Sequence, residues 1–247
     1  VKRNFKLTLE YDGSEYHGWQ RQQGVLTVQE VLESRLAVIF GEPIGARASG
    51  RTDAGVHARA QVVNFYARSS LQPGEILRGL NSLLPPDIVV LAAEEVADAF
   101  HARFSAVSKT YEYRILNRPE PSALERHFAW HIRRPLDRPA MAECLADITG
   151  RHDFAAFMAA GSSVTATERE IYQAVLEVPD AHHLVFRFEA SGFLRHMVRN
   201  LVGTLVEVGK GRFSRADFLD ILVAGDRRRA GMTAPARGLY LVSVRYE

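Results

Sequence analysis

The chain has 247 residues, with 31 Lys and Arg against 29 Asp and Glu, a formal net charge of +2 and a hydrophobic fraction of 47%. This is the composition of an ordinary globular protein with room for one large domain or two small ones, and no apolar run approaches the roughly 20 residues that span a bilayer. A single cysteine, Cys144, excludes an internal disulfide framework and any Cys-x-x-Cys zinc or redox motif. It stands with Met141, Leu145 and Ile148 at helical spacing and reads as a buried filler. The sequence moves directly into a strand pattern rather than a secretory leader, so the cytoplasm is the expected compartment.

Phe5, Leu7, Leu9 and Tyr11 alternate with polar residues, which predicts a half-buried strand. Thr27 and Glu30 form a capping-box pattern ahead of an apolar stripe (Val28, Val31, Leu32, Leu36, Ile39, Phe40) that Gly41 and Pro43 terminate. Strands are expected at about 44–50 and 59–67, then a helix from Pro73 to Leu84 stopped by Pro85-Pro86, then a strand from Ile88 to Ala93. The order β-α-β-β-α-β is the split βαβ plan of ferredoxin-like and RRM-like domains.

The second half repeats this order with one helix added. A strand is predicted over Lys109–Ile115, a helix capped by Asp137 through Ile148, and a hairpin of Ile171–Val178 with Leu184–Ala190. A long helix is predicted from Phe193 to Val208, a short one from Ser214, and a last strand over Leu239–Tyr246. Segments 118–136 and 151–168 read as loops. The expected fold is therefore α+β, with two RRM-like halves (1–104 and 105–247) forming one large mostly antiparallel sheet, helices on one side and a central cleft.

The run Gly50-Arg51-Thr52-Asp53-Ala54-Gly55-Val56-His57-Ala58 places one carboxylate in a tight turn between two strands. Asp53 is the only acid between residues 47 and 68, among Arg47, Arg51, Arg59 and Arg68. Nearby positive charge favours an ionised carboxylate, which suits a nucleophile or base working on an anionic substrate. Taken alone, an Asp-x-Gly turn is also an ordinary surface hairpin. Charge elsewhere is uneven: Asp87, Glu94, Glu95 and Asp98 are acidic, whereas Arg195, Arg199, Lys210, Arg212, Arg215 and Arg227 to Arg229 are basic. Such asymmetry fits a positive face that binds a phosphate backbone.

The whole run from Gly50 to Ala58 resembles the signature loop of the TruA family of tRNA pseudouridine synthases. Further segments match in order: Tyr11-Asp12-Gly13, Gly18-Trp19-Gln20-Arg21-Gln22, Lys109 to Tyr113, Gly192 to Gly203, and Thr233 to Leu241. The resemblance implies isomerisation of uridine to pseudouridine in the anticodon arm of tRNA, without metal or cofactor, by a homodimer. It implies Asp53 as nucleophile or as the base taking the 2′ proton, Tyr111 stacking on the base, and Arg199 pairing with Asp53. Arg51 would contact the flipped nucleotide, Leu239 would pack under the base, and Arg21, Arg59 and His57 would serve substrate binding. Read without the family, Tyr111 is a strand residue with a core ring, and Arg199 lies on the polar face of an amphipathic helix.

Two rival readings have distinct signatures. A non-catalytic RNA-binding protein of two RRM-like units would show clustered aromatics in the RNP pattern, which this sequence lacks. A metal-dependent nuclease or phosphatase using Asp12, Asp53, His57 and His196 would need several carboxylates gathered around the metals, and Asp53 stands in an acid-poor stretch.

Overall fold

The computed structural model describes residues 2–162 and 164–247, among which there are ten strands and five α-helices in a mixed α+β fold with mostly antiparallel pairing. The chain divides into two compact units, the first running to Val107 and including Tyr240–Glu247, the second covering Ser108–Leu239.

In the first unit, β1 (Lys2–Tyr11) buries the predicted alternate residues: Phe5, Leu7, Leu9 and Tyr11 are inside, and Glu10 is exposed. Each such side chain removed from water contributes about 1.5–3 kcal/mol. Helix α1 (Val28–Phe40) starts where Thr27 accepts from the Glu30 amide at 3.4 Å and stops at Gly41, whose φ of 70° lets its N–H reach Ala37 O. Its core face is narrower than the sequence stripe. Val28, Leu32 and Leu36 are buried, while Val31, Ile39 and Phe40 are half-buried. The Phe40 ring still meets Phe65, 5.6 Å away, and Phe65 stacks on Phe5 at 5.5 Å.

Strand β2 is only Arg47–Ala48, followed by β3 (His57–Arg68), α2 (Pro73–Leu83) and β4 (Ile88–Val96). A Gln72/Glu75 capping box and Pro73 open α2, which buries Ile76 and Leu80 but leaves Leu83 exposed. Antiparallel β1 pairs with β3 on one side and β4 on the other, and β2 lies on β3 at Arg47↔Asn64. This is the split βαβ arrangement expected from the sequence. A further strand, β10 (Leu239–Tyr246), pairs in parallel with the start of β3 through Tyr240↔His57 and Leu241↔Ala58. That pairing is why the end of the chain, placed by sequence order in the second half, groups with the first unit.

The second unit contains β5 (Ala106–Asn117), β6 (Trp130–Ile132), α3 (Arg138–Asp147), β7 (Gly150–Asp153), β8 (Glu168–Glu177), β9 (His183–Ala190), α4 (Met197–Gly209) and α5 (Arg215–Ala224). Its strands run in the order β5-β9-β8-β7, with β6 parallel to the end of β5. Two segments read as loops thus contain short strands, β6 and β7. Each is three or four residues long and held by a neighbour distant in sequence, too little for a periodicity to register.

Helix α4 is the core of this unit: Arg199 and Glu207 are its only residues not buried. It begins four residues later than the sequence pattern suggests, because His196 adopts a left-handed φ of 63° and breaks the helix ahead of Met197. Cys144 is buried, as expected, and burial pushes its thiol up to about 11. Among the described residues, no helix is long and apolar enough to cross a membrane.

Candidate active site

The Asp53 turn is built by contacts from β1, β3 and the segment between β1 and α1. Tyr11 Oη lies 2.7 Å from Thr52 Oγ1, and Ser49 Oγ donates to Gln61 Oε1 at 2.7 Å. Gln61 Nε2 in turn donates to Gly50 O at 2.8 Å. Tyr11, Ser49, Gln61 and Thr52 are all buried, so each bond forms where water cannot compete. Burial drives the Tyr11 phenol up to about 12, against its bonds to Thr52 and Gln61, so it stays neutral well above the pH at which a free phenol ionises.

Beneath the turn, Trp19 N–H donates to Thr52 O at 3.0 Å and Gly55 N–H to Tyr16 O at 3.2 Å. The Val56 amide closes on Asp53 O at 3.1 Å. Gly18 lies flat against this backbone: a Cβ there would stand 2.5 Å from Thr52 O and 3.0 Å from the Asp53 carbonyl carbon, and its φ is 83°. Only glycine meets both demands. Gly13 makes the same close approach to Val56.

His57 is 2% exposed. Its Nδ1 accepts from the Gly13 amide at 3.1 Å and its ring stacks on Tyr240 at 4.8 Å. Asp12 Oδ1 also lies 3.1 Å from Nδ1, but a backbone amide can only donate, so the ring is the acceptor there and the Asp12 carboxylate is held by Ser14 N and Oγ instead. A ring enclosed in this way braces the turn and presents little surface to a ligand. Asp53 itself is half-buried, and Arg51 and Arg59 are exposed. The Arg59 guanidinium sits 5.9 Å over the Tyr240 ring. Arg21 is 61% exposed at its side chain, with Glu33 and Glu30 at 3.6 and 3.8 Å, and its amide is fixed by Gln29.

In the second unit three separated segments converge. Tyr111 on β5 is 8% exposed and meets the Phe193 ring edge-on at 5.0 Å, so the segment ahead of α4 touches the strand that carries the tyrosine. Arg199 Nε donates to Ala234 O at 2.8 Å, and the Ala234 amide returns a bond to Arg199 O at 3.1 Å. Tyr113, two residues after Tyr111 on the same face of β5, donates to Pro235 O at 2.7 Å. Gly238 packs flat on the Tyr113 ring, where an added Cβ would stand only 2.7 Å from Tyr113 Cζ, and Leu239 follows it, 6% exposed. Tyr111, Arg199 and Leu239 are thereby placed by one mutually locked set of segments.

That set has a clamp the sequence did not disclose. Arg227 donates to Gly231 O at 2.9 Å and to Asn200 Oδ1 and Thr233 Oγ1 at 3.1 Å each. Asn200, fully buried, donates to Phe157 O at 2.8 Å. The Gly231 amide donates to Thr204 Oγ1, and a side chain at Gly203 would strike the Met232 carbonyl. The sequence shows Arg227 only as part of an arginine triplet, and nothing in that triplet singles out the residue that reaches Asn200, 27 positions earlier.

Several cations of the C-terminal basic stretch are paired with carboxylates of their own unit. Arg215 forms a forked pair with Asp147 (2.8 and 2.6 Å), Arg228 is paired with Asp226, and Lys210 and Arg212 share Glu207. The acidic stretch is likewise partly neutralised, Glu95 by Arg3 at 2.6 Å and Glu94 by Lys6 at 3.3 Å. Among the described residues, no group of three or more His, Cys, Asp or Glu side chains is arranged to hold a metal.

Comparison with known proteins decides what these two constellations belong to. The family model for tRNA pseudouridine synthases matches residues 8–105 and 145–247, which include Asp53, Arg199 and Leu239. The chain belongs to the tRNA pseudouridine synthase family. A tRNA pseudouridine synthase A of Thermoanaerobacter sp. (strain X514) is 44% identical over 99% of this chain and 100% of the relative. Another, of Beijerinckia indica subsp. indica, is 47% identical over 98% of this chain and 93% of the relative. Among solved structures, a Cbf5-Nop10-Gar1 complex aligns with 96% of this chain and 48% of its own at 12% identity and a TM-score of 0.41, too distant to bear on the site. Membership makes the chain an isomerase that converts uridine to pseudouridine in tRNA, and sets aside the non-catalytic RRM-like reading.

Proposed function

We propose that this chain forms pseudouridine in the anticodon arm of tRNA, with Asp53 as the group that opens the reaction. The observation that carries the reading is the Gly50–Ala58 turn, a signature-like run that presents one carboxylate and is fixed by buried bonds from Tyr11, Gln61 and Trp19. In the reaction the N1–C1′ bond breaks, the uracil turns, a C5–C1′ bond forms, and the C5 proton leaves as N1 regains one. No electrons or atoms are gained overall. Asp53 either attacks as nucleophile or takes the 2′ proton, and a fixed turn serves both by holding the carboxylate in a reactive pose.

Tyr111 stacks on the base and assists removal of the C5 proton, while Arg199 pairs with Asp53 and orients it. The edge contact with Phe193 and the backbone bonds to Ala234 support these roles, because they limit the freedom of both side chains. Arg51, exposed beside the turn, contacts the flipped nucleotide. Leu239 packs under the base, Arg21 and Arg59 hold phosphates, and His57 serves binding by bracing the turn. The working enzyme is a cytoplasmic homodimer that needs no cofactor. These assignments rest on the motif resemblance together with the exposure and fixation of each residue.

Incubating the protein with unmodified tRNA and mapping pseudouridine by carbodiimide-dependent primer extension tests activity and position together. Asp53→Asn keeps the shape and removes the charge, so it should abolish product while leaving fold and tRNA affinity intact. Turnover by a variant verified free of deamidation would remove Asp53 from its role.

A further inference from the structure

A cavity of about 340 Å³ opens in the second unit between the segment after β6 and the end of α4, lined by Ile132, Arg133, Arg134, Pro135, Lys210 and Arg212. Four of its six lining residues are cations. Glu207 binds Lys210 Nζ at 2.8 Å and Arg212 Nη1 at 2.7 Å, and the Asp137 carboxylate accepts from the Ala140 amide at 3.0 Å, so four cations face two carboxylates that are already engaged. Arg133 and Arg134 are exposed, and among the described residues neither side chain has a hydrogen bond or ion pair.

The walls are fixed. Asn117 Nδ2 donates to Ile132 O at 2.9 Å and Arg134 O at 2.7 Å, and the Asp137 amide donates to Gly209 O at 2.8 Å, joining the two segments. The carbonyls at the end of α4, which would repel an anion, are already engaged: Val206 O by the Lys210 amide and Val208 O by the Gly211 amide. A backbone anchored in this way, with two guanidinium forks left unengaged, suits an oxyanion, and arginine forks match phosphate geometry.

We propose that this pocket seats a backbone phosphate of the RNA substrate, a contact separate from the one that holds the reacting nucleotide. The inference rests on the RNA substrate adopted above. Lys210 lies eleven residues beyond Arg199, roughly 17 Å along the helix axis at 1.5 Å per residue. A phosphate held here belongs to a nucleotide several positions from the target, or to another arm of the same tRNA. The pocket adds affinity and register and takes no part in bond making.

The test compares the wild-type protein with Arg133→Ala/Arg134→Ala, titrating unmodified full-length tRNA from 50 to 200 mM salt. Loss of charge-assisted bonds should weaken binding about tenfold near 0.1 M salt and flatten the log–log salt slope by between about 0.7 and 2. The turnover rate at saturating tRNA and the melting temperature should be unchanged, since neither side chain is engaged in the fold. Glu207→Gln should move affinity the other way, because it releases Lys210 and Arg212. Unchanged affinity and slope in the double variant would overturn the pocket while pseudouridine formation persists. A wild-type protein that binds tRNA with the expected salt slope, lost in the double variant, yet forms no pseudouridine would uphold the pocket and overturn the reaction.

Discussion

Replacing Gly18 by alanine tests whether the Asp53 turn is held as tightly as its contacts indicate. The added Cβ would lie 2.5 Å from Thr52 O, and ordinary contact begins near 3.4 Å, so the turn must retreat by the difference, 3.4 − 2.5 = 0.9 Å. Retreat is resisted on the far side by Tyr11 and Gln61, whose bonds to Thr52 and Gly50 would stretch. The left-handed φ of 83° at Gly18 costs a further 1–2 kcal/mol, roughly, for any residue with a side chain, and forced overpacking adds about 1–3 kcal/mol. Even at the lower bound of about 2 kcal/mol, the melting temperature should fall by roughly 4–8 °C for a chain of this size. A catalytic group misplaced by about 1 Å loses on the order of a hundredfold in rate, so kcat/KM should drop that far although Gly18 touches no substrate. The rate can be read from the C5 hydrogen released when the new C–C bond forms, using tRNA tritiated at that carbon. A Gly18→Ala protein within threefold of wild type in kcat/KM, with the same melting temperature, would refute the claim that packing beneath the turn sets the reactive geometry.

Other outcomes follow from the same contacts. Tyr11→Phe should cost about 1–3 kcal/mol by leaving Thr52 and Gln61 short of a partner, measured by denaturant unfolding. Because burial raises the Tyr11 phenol from 10.0 to about 12, the neutral form is favoured in the folded state; its contribution is fully present below pH 10 and is lost as pH rises to about 12. The wild-type protein should therefore lose stability faster than Tyr11→Phe across that window, and equal slopes would count against the burial argument. Arg227→Ala should destabilise the second unit and lower kcat while leaving the salt slope of tRNA binding unchanged, since its guanidinium is spent on Gly231, Asn200 and Thr233. Arg199→Lys should recover part of the rate lost in Arg199→Ala, restoring charge without the fork. Activity should survive EDTA.

The sequence was most readable where one residue type answers one local demand. Alternation of Phe5, Leu7, Leu9 and Tyr11 sets β1, Thr27 and Gly41 bound α1, and the run around Asp53 names its own family. It was least readable where a residue serves a partner far along the chain. Tyr11 reads as a core ring, and nothing nearby reveals that its hydroxyl reaches Thr52. Gly18 is visible in the sequence only as part of a matching segment, although its reason is the Thr52 carbonyl pressed against it. Arg227 is indistinguishable by sequence from Arg228, yet one is a clamp and the other an exposed partner of Asp226. His57 sits inside the signature run and invites a substrate role, whereas its ring is enclosed by Gly13 and Tyr240. The left-handed His196 that delays α4 has no periodic signature, because a single backbone angle leaves the apolar stripe intact.

The parallel pairing of Tyr240 with His57 has a consequence for synthesis. The strand that carries the end of the Asp53 turn acquires this neighbour only once Tyr240 has been made, long after His57. Contacts between residues so far apart are slow to form, since the intervening chain must be closed into a loop first. On the ribosome, β1, β3 and β4 can associate early, but the ring that stacks on His57 emerges long after them. A nascent chain would thus carry an incompletely braced turn until Tyr240 has emerged and docked.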